Sequence, residues 1–354
     1  METAVSVKEA FSLGLPVEVE NIDKELGRLW EESGDNQTRA SHINLVVYTE
    51  DWSAMEHNTE IIRQIAENHA CRAILICAEP ASKVDKVQAW INAHCHTFHS
   101  ENRTVCSEQI TFRMEGDTVN TLPNIVFSHL DSDLPLYFWW QGEFPLNFKS
   151  ELWSWIDRLI FDSHLWKIPT NHFDLLSKIQ DEASERIILC DLTWTRLLGS
   201  RFALAQIFDH QGALAELGKI TEVTIQHAPH HRTTACFMLG WLAAQLDWEL
   251  HSILGKHSFR SKDGREILVN LKEQEGACIS LYHLASPDAS FELQREVGSD
   301  FFHATIKLPD RVPVEVALKA DRERITDTLL QEIVRGGKHP LYLKALKKIG
   351  PLFH

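Results

Sequence analysis

Between Leu134 and Arg196, three short apolar runs each stop at a cluster of polar or aromatic residues. Leu136-Tyr137-Phe138 ends at Trp139-Trp140-Gln141-Gly142, and Leu159-Ile160-Phe161 ends at Asp162-Ser163. Ile187-Ile188-Leu189-Cys190 ends at Asp191 and leads into Thr193-Trp194-Thr195-Arg196. Runs of this length separated by helix-length segments predict buried parallel strands, which confines the region to an α/β fold. In open α/β sheets, ligands and partners are met just beyond the carboxyl ends of the strands. The functional residues are therefore sought at these three run ends.

The flanking segments extend the alternation. Ile22 to Trp30 predicts an amphipathic helix and Glu31 to Ser41 a polar linker. Ile43 to Tyr48 and Arg72 to Cys77 read as strands around a helix from Asn58 to Asn68. Val84 to Ala93 is expected to be helical. Gln109 to Met114 alternates polar and apolar residues, the mark of a half-buried or edge strand. A helix is expected near Thr118 to His129, and others near Phe173 to Ile179 and Phe202 to Phe208. Thr233 to Leu246 predicts a strongly apolar helix diluted by Ala235, Gly240, Ala243 and Ala244, small residues that let a neighbour approach closely.

The character changes near residue 250, beyond which there is no Trp. Asp263-Gly264 is a hairpin signal between Ser258–Arg260 and Ile267–Leu271. Ala277–Leu284, Phe291–Val297 and Phe301–Leu308 continue an antiparallel meander, closed by helices near Asp321–Val334 and Leu341–Lys348. The expected fold is a mostly parallel α/β sheet flanked by helices, plus a smaller C-terminal α+β domain. The expected divisions are 1–41 (helix and linker), 42–250 and 251–354.

Acidic residues number 50 against 35 basic ones, a net charge of −15. That balance disfavours the phosphate contacts of nucleic-acid binding and docking on anionic lipid. The longest apolar stretches fall short of the roughly 20 residues a bilayer span needs. Seven Cys at irregular spacing fit reduced thiols better than a disulfide framework, and a cytoplasmic protein is expected.

The chain holds no GxGxxG, no GxxxxGK[ST] and no GxSxG, which removes the commonest nucleotide and hydrolase sites, and no cofactor is expected. His94, Cys95, His96, His99 and Cys106 are metal-capable donors at irregular spacing; a polar helix end and loop in a His-rich chain accounts for them, and no metal is expected. Asp162 or Ser163 would serve equally well to cap the next helix, the more frequent use of such a residue, and a ligand-directed role at the strand end is the alternative. Adjacent residues of a strand face opposite sides, so Trp139 and Trp140 leave two possibilities open: one indole presented to a partner, or both packed. Asp191, Trp194, Thr195 and Arg196 enter a helix, with Arg196 available to pair with Asp191 or Asp162 or to bind a phosphate.

Several of these strings carry a family resemblance. Asp133-Leu134-Pro135-Leu136-Tyr137-Phe138-Trp139-Trp140-Gln141-Gly142 resembles the "DLPV-x-LWW-x-G" element of OpcA-type glucose-6-phosphate dehydrogenase assembly proteins. Asp157-Arg158-Leu159-Ile160-Phe161-Asp162-Ser163 is similar to that family's "DRLIVDS". Asp191-Leu192-x-Trp194-Thr195-Arg196-Leu197 resembles "DLNWTRL", and Gly240-Trp241-Leu242-Ala243 resembles "GWLA". Cys71-Arg72-Ala73-Ile74, Cys106-Ser107-Glu108-Gln109-Ile110 and the closing Leu329 to Leu346 follow in kind. Two departures stand out: Gln141 where a basic residue is common, and Leu198-Gly199-Ser200-Arg201 in place of "PWRE".

The resemblance implies a non-catalytic cytosolic protein that binds glucose-6-phosphate dehydrogenase and promotes its assembly or activity. Some members are linked to thioredoxin control. Beyond residue 250 only Cys278 remains, so activation insensitive to thiol oxidation is expected. The alternative function is a sugar-phosphate sensor or enzyme using the crevice around Asp162, Asp191 and Arg196.

Overall fold

The computed structural model describes residues 13–31, 37–98, 103–145, 153–183, 186–253, 256–322 and 324–353. The chain forms two compact units. One comprises Met1–Phe161, Lys178–Cys190 and Leu329–Gly336; the other comprises Asp162–Ser177, Asp191–Thr328 and Gly337–His354.

The first unit is built on a nine-stranded sheet. Its elements are β1 (Leu15–Val17), α1 (Ile22–Glu31), β2 (Gln37–Arg39), β3 (Ile43–Thr49), α2 (Met55–Asn68), β4 (Cys71–Glu79), β5 (Lys86–Phe98), β6 (Arg103–Glu115), α3 (Leu122–His129), β7 (Leu136–Trp140), β8 (Arg158–Phe161) and β9 (Ile188–Asp191). The strand order is β1-β5-β6-β4-β3-β7-β8-β9, with β2 also pairing β6. Strands β6, β4, β3, β7 and β8 run parallel, as the apolar runs require. The chain builds outward from β3 through β4 and β6, then returns to β3's other side with β7. That reversal places the ends of β3 and β7 at a topological switch point.

Three local expectations are corrected. Val84–Ala93 is not a helix: Lys86–Phe98 is a strand paired residue for residue with β6, and Ala89, Trp90 and Ile91 are buried. Long-range pairing there overrides a local pattern that also fits a helical period. Gln109–Met114 is not an edge; β6 lies between β5 and β4, and Ile110, Phe112 and Met114 are buried. The linker Glu31–Ser41 contributes β2, parallel to β6.

The cysteines require a further correction. Cys95 and Cys106 stand opposite each other on β5 and β6 and form a disulfide. Cys71, Cys77, Cys190, Cys236 and Cys278 are thiols outside this disulfide, and all but Cys278 are buried. His94 of the same segment is engaged with Gln109 (2.9 Å), and His99 lies outside the described residues.

A buried charge centre ties the motifs of β4 and β6 together. The Glu108 carboxylate, 1 % exposed, accepts from Arg72 Nη1 (2.9 Å) and from Trp30 Nε1 of α1 (2.6 Å), and pairs with Arg39 (2.9 Å). Buried charge persists only when paired and hydrogen-bonded in this way. Arg158, also buried, donates to the Arg335 carbonyl at 2.6 Å.

The helix α4 (Pro169–Ala183) contributes residues to both units. The second unit then contains α5 (Leu192–Arg196), α6 (Leu198–Phe208), α7 (Ala213–Leu217), β10 (Glu222–His227), α8 (Arg232–Leu246) and strands β11 (Glu249–Ile253), β12 (Lys256–Arg260), β13 (Glu266–Glu273), β14 (Ile279–Ala285), β15 (Ser290–Gln294), β16 (Phe301–Lys307) and β17 (Val314–Lys319). Next come α9 (Ile325–Val334), which also contributes to both units, and α10 (Pro340–Ile349). The strands form one sheet in the order β11-β12-β13-β10-β14-β15-β16-β17. It is antiparallel except for β10 against β13. The hairpin at Asp263-Gly264 joins β12 to β13 as expected. This unit also takes in β10 and α8, which lie before residue 250, because α8 packs on β10 and β13.

Helix α8 is buried continuously from Thr233 to Ala244, since α10 covers the side that the sheet does not. Gly240 makes that possible: a Cβ there would lie 2.8 Å from the Ala345 carbonyl oxygen and 3.0 Å from Ile349 Cγ2. Gly199 of α6 serves the same purpose, where a Cβ would come within 2.9 Å of the Ala320 backbone.

Candidate functional site

The eight residues singled out in the sequence divide between the two units. Trp139 and Trp140, in the first, are both 4 % exposed. Trp140 stacks on Tyr48 (centroids 3.9 Å apart) and donates its indole N–H to the Glu143 carbonyl at 3.1 Å. Phe144 closes over it at 5.7 Å. Of the two possibilities for this pair, packing is the one found: the strand end is covered by the segment that follows it. Gln141 forms a reciprocal amide pair with Asn58 of α2 (2.8 and 2.9 Å).

The other six lie in the second unit, and a dense polar network joins most of them. Asp162 follows β8 and directs its carboxylate to Arg196 rather than to a helix end. Arg196 Nη1 donates to Oδ1 at 2.8 Å, and Nη2 donates to Oδ2. Oδ1 also accepts from Thr193 Oγ1 (2.9 Å) and meets His164 Nδ1 (2.7 Å). Burial alone would raise the Asp162 carboxyl; the hydrogen bonds and charge of Arg196 and His164 outweigh it and hold the group well below the usual carboxylate range. The His164 ring lies nearly parallel to that of His231, at 5.1 Å and 12°. Burial, with His164 and Arg196 close by, pushes His231 down to about 4.

Asp191 is the cap of α5. Its Oδ1 accepts from the backbone N–H of Thr193 (3.0 Å) and of Ser163 (3.2 Å), so one carboxylate ties the two loops together. Tyr342 O–H approaches Oδ2 at 3.4 Å, and Thr195 Oγ1 donates to the Asp191 carbonyl at 3.1 Å. Burial chiefly, helped by the charge of Asp162, raises the Asp191 carboxyl to about 7 against the pull of its Ser163 and Thr193 donors. Trp194 is buried; the Arg201 guanidinium lies 3.9 Å above its ring and donates to its carbonyl at 2.7 Å.

The network therefore contains a neutralised Arg–Asp pair, a capping carboxyl and two stacked imidazoles. His164 and His231 were not anticipated. His164 follows Ser163 directly, but His231 comes 67 residues later and meets it only through tertiary folding. No helix among the described residues is long and apolar enough to cross a membrane.

The comparison with known families decides the relationship. Residues 62–178 match the Glucose-6-phosphate dehydrogenase subunit N-terminal domain, and residues 188–346 match the C-terminal domain of the same subunit. The chain belongs to the OpcA family. Proteins assigned to the OxPP cycle under that name are similar to it. The one from Synechocystis sp. is 27% identical over 204 residues, covering 56% of this chain and 42% of its own length. That from Synechococcus elongatus is 25% identical over 243 residues, covering 62% and 53%. The chain thus spans about half the length of these OpcA relatives.

Among solved structures, an oxidoreductase from Bacillus cereus has a TM-score of 0.48 at 11% identity, covering 88% of this chain and 96% of that one. Myo-inositol dehydrogenase from Lactobacillus casei gives 0.44 at 12% identity, covering 87% and 92%. These are likenesses of chain path.

Proposed function

We propose that the chain is a non-catalytic cytoplasmic subunit that binds glucose-6-phosphate dehydrogenase and favours its active oligomer. The observation that carries this reading is the match of two successive segments, 62–178 and 188–346, to the two domains of a family described as that enzyme's subunit. The local chemistry supports it. Arg196, the cation best placed for a phosphate, has its guanidinium occupied by Asp162, and the Asp191 carboxylate is spent on capping. That arrangement weighs against the sugar-phosphate reading of the same crevice. A subunit of this kind acts by binding one assembly state of its partner more tightly than another, which shifts the population toward that state.

The test is NADPH formation by the dehydrogenase from the same organism, followed against glucose 6-phosphate with and without the purified chain. A raised rate or a lower half-saturating substrate concentration is expected. Identical kinetics at every chain concentration would remove the proposal. Melting of the chain alone with sugar phosphates tests the crevice reading, which requires an upward shift.

A further inference from the structure

The sheet of the second unit presents two unlike faces. Toward α6 and α8 it turns Tyr282, Leu284, Phe291, Leu293, Phe302 and Ala304, all 1 % exposed or less. The alternate residues, which a strand turns the other way, are polar, short or open to solvent. The registers align Asn270, Thr224, His283, Glu292, Thr305 and Glu315 as one row across β13, β10, β14, β15, β16 and β17. Leu268 and Phe301, at 55 % and 53 % exposure, stand on the same face.

Three properties of this face point to a protein occupant. Short side chains such as Ala285, Ser290 and Thr305 stand near its centre, so the face is lined like an interface plane, whereas small-molecule sites are concave. Six strands about 4.8 Å apart and roughly seven residues long give a plane of about 25 by 25 Å, on the order of the ~800 Å² per partner of a stable interface. Its charges also come close to balance: Glu222, Glu266, Glu292 and Glu315 stand against Lys272, Lys307 and Lys319, in a chain whose net charge is −15. Two copies of so acidic a chain repel as wholes, which favours a different polypeptide over a second copy. All eight strands fall within residues 188–346, the segment matched by the subunit's C-terminal domain.

We propose that this face is where the glucose-6-phosphate dehydrogenase polypeptide docks. The inference rests on the reading given under Proposed function.

The test compares dehydrogenase binding by the parent chain with binding by Thr305→Arg, mid-face, and by Phe202→Arg, an exposed position on α6. The expected result is at least tenfold weaker binding for Thr305→Arg at an unchanged melting temperature, with Phe202→Arg binding like the parent. Amine-reactive labelling of the parent complex gives a readout that no variant's folding can disturb: Lys272, Lys307 and Lys319 should be protected by the dehydrogenase. Equal binding by Thr305→Arg, or labelling of those lysines unchanged in the complex, overturns the face while leaving the subunit role standing. A fall in the mass of the chain alone on Thr305→Arg assigns the face to a second copy and also overturns the proposal. A parent chain that binds no dehydrogenase removes both readings.

Discussion

Arg196 holds Asp162 with both arms of its guanidinium, across 34 residues of sequence, and so joins the loop after β8 to the end of α5. Bidentate pairs of this kind fix geometry as well as charge. Two of the positions that look most like a ligand crevice in the sequence thereby clasp each other.

Arg196→Ala leaves the Asp162 carboxylate buried with its main counter-charge gone, and a stability loss of about 3–5 kcal/mol is expected. Arg196→Lys should recover only part, because an ammonium cannot reproduce the two-pronged contact. Urea unfolding measures both. A loss under about 1 kcal/mol for Arg196→Ala would mean that the pair is not a clasp.

Asp191 makes stability depend on pH in a stated direction. Its folded value of about 7 lies above the ordinary 3.8, so the folded chain holds a proton that the unfolded chain releases. Its contribution is complete below about pH 4 and is lost as the pH rises to about 7. His231, lowered from 6.5 to about 4, acts oppositely: its contribution is present above 6.5 and is lost as the pH falls toward 4. Asp191→Asn removes only the first effect. Relative to the parent, the variant should therefore melt higher at pH 8 than at pH 5. A difference that stays constant between the two pH values would contradict the raised carboxyl.

Two glycines in helices should respond with opposite signs. Gly240→Ala drives a methyl into the Ala345 carbonyl and should cost about 1–3 kcal/mol. Gly27→Ala on α1, with nothing within 4 Å of the added carbon, should gain up to about 1 kcal/mol. Thermal melts of the two variants decide the matter; a neutral Gly240→Ala would show that α8 and α10 can part at no cost.

The Glu108 centre predicts a contrast of magnitude. Glu108→Gln strands the buried Arg72 and should cost about 3–5 kcal/mol. Arg39→Ala removes a half-exposed partner of the same carboxylate and should cost less than about 1 kcal/mol. Denaturant titration separates them, and equal losses would place the energy elsewhere.

Much of the α/β sheet was legible because each motif strand is apolar on both faces and stops at a polar residue. The same applies to the β12–β13 hairpin, whose Asp263-Gly264 turn is a local signal. Strand β5 was not legible: Val87-Gln88-Ala89-Trp90-Ile91 suits a helix as well as a strand, and only pairing with β6 decides between them. The burial of both Trp139 and Trp140 was equally hidden, since it depends on Glu143 and Phe144 folding over the strand end. At the clasp, the composition of the site was readable but its pairing was not. Asp162, Asp191 and Arg196 offered several partners, and three-dimensional distance chose among them.

The most direct test of the account is the mass, by light scattering after size exclusion, of the purified chain mixed with glucose-6-phosphate dehydrogenase from the same organism. The account predicts a species heavier than either component, containing both and formed at low micromolar concentration. Two components that elute at their separate masses across concentrations well above micromolar would contradict it.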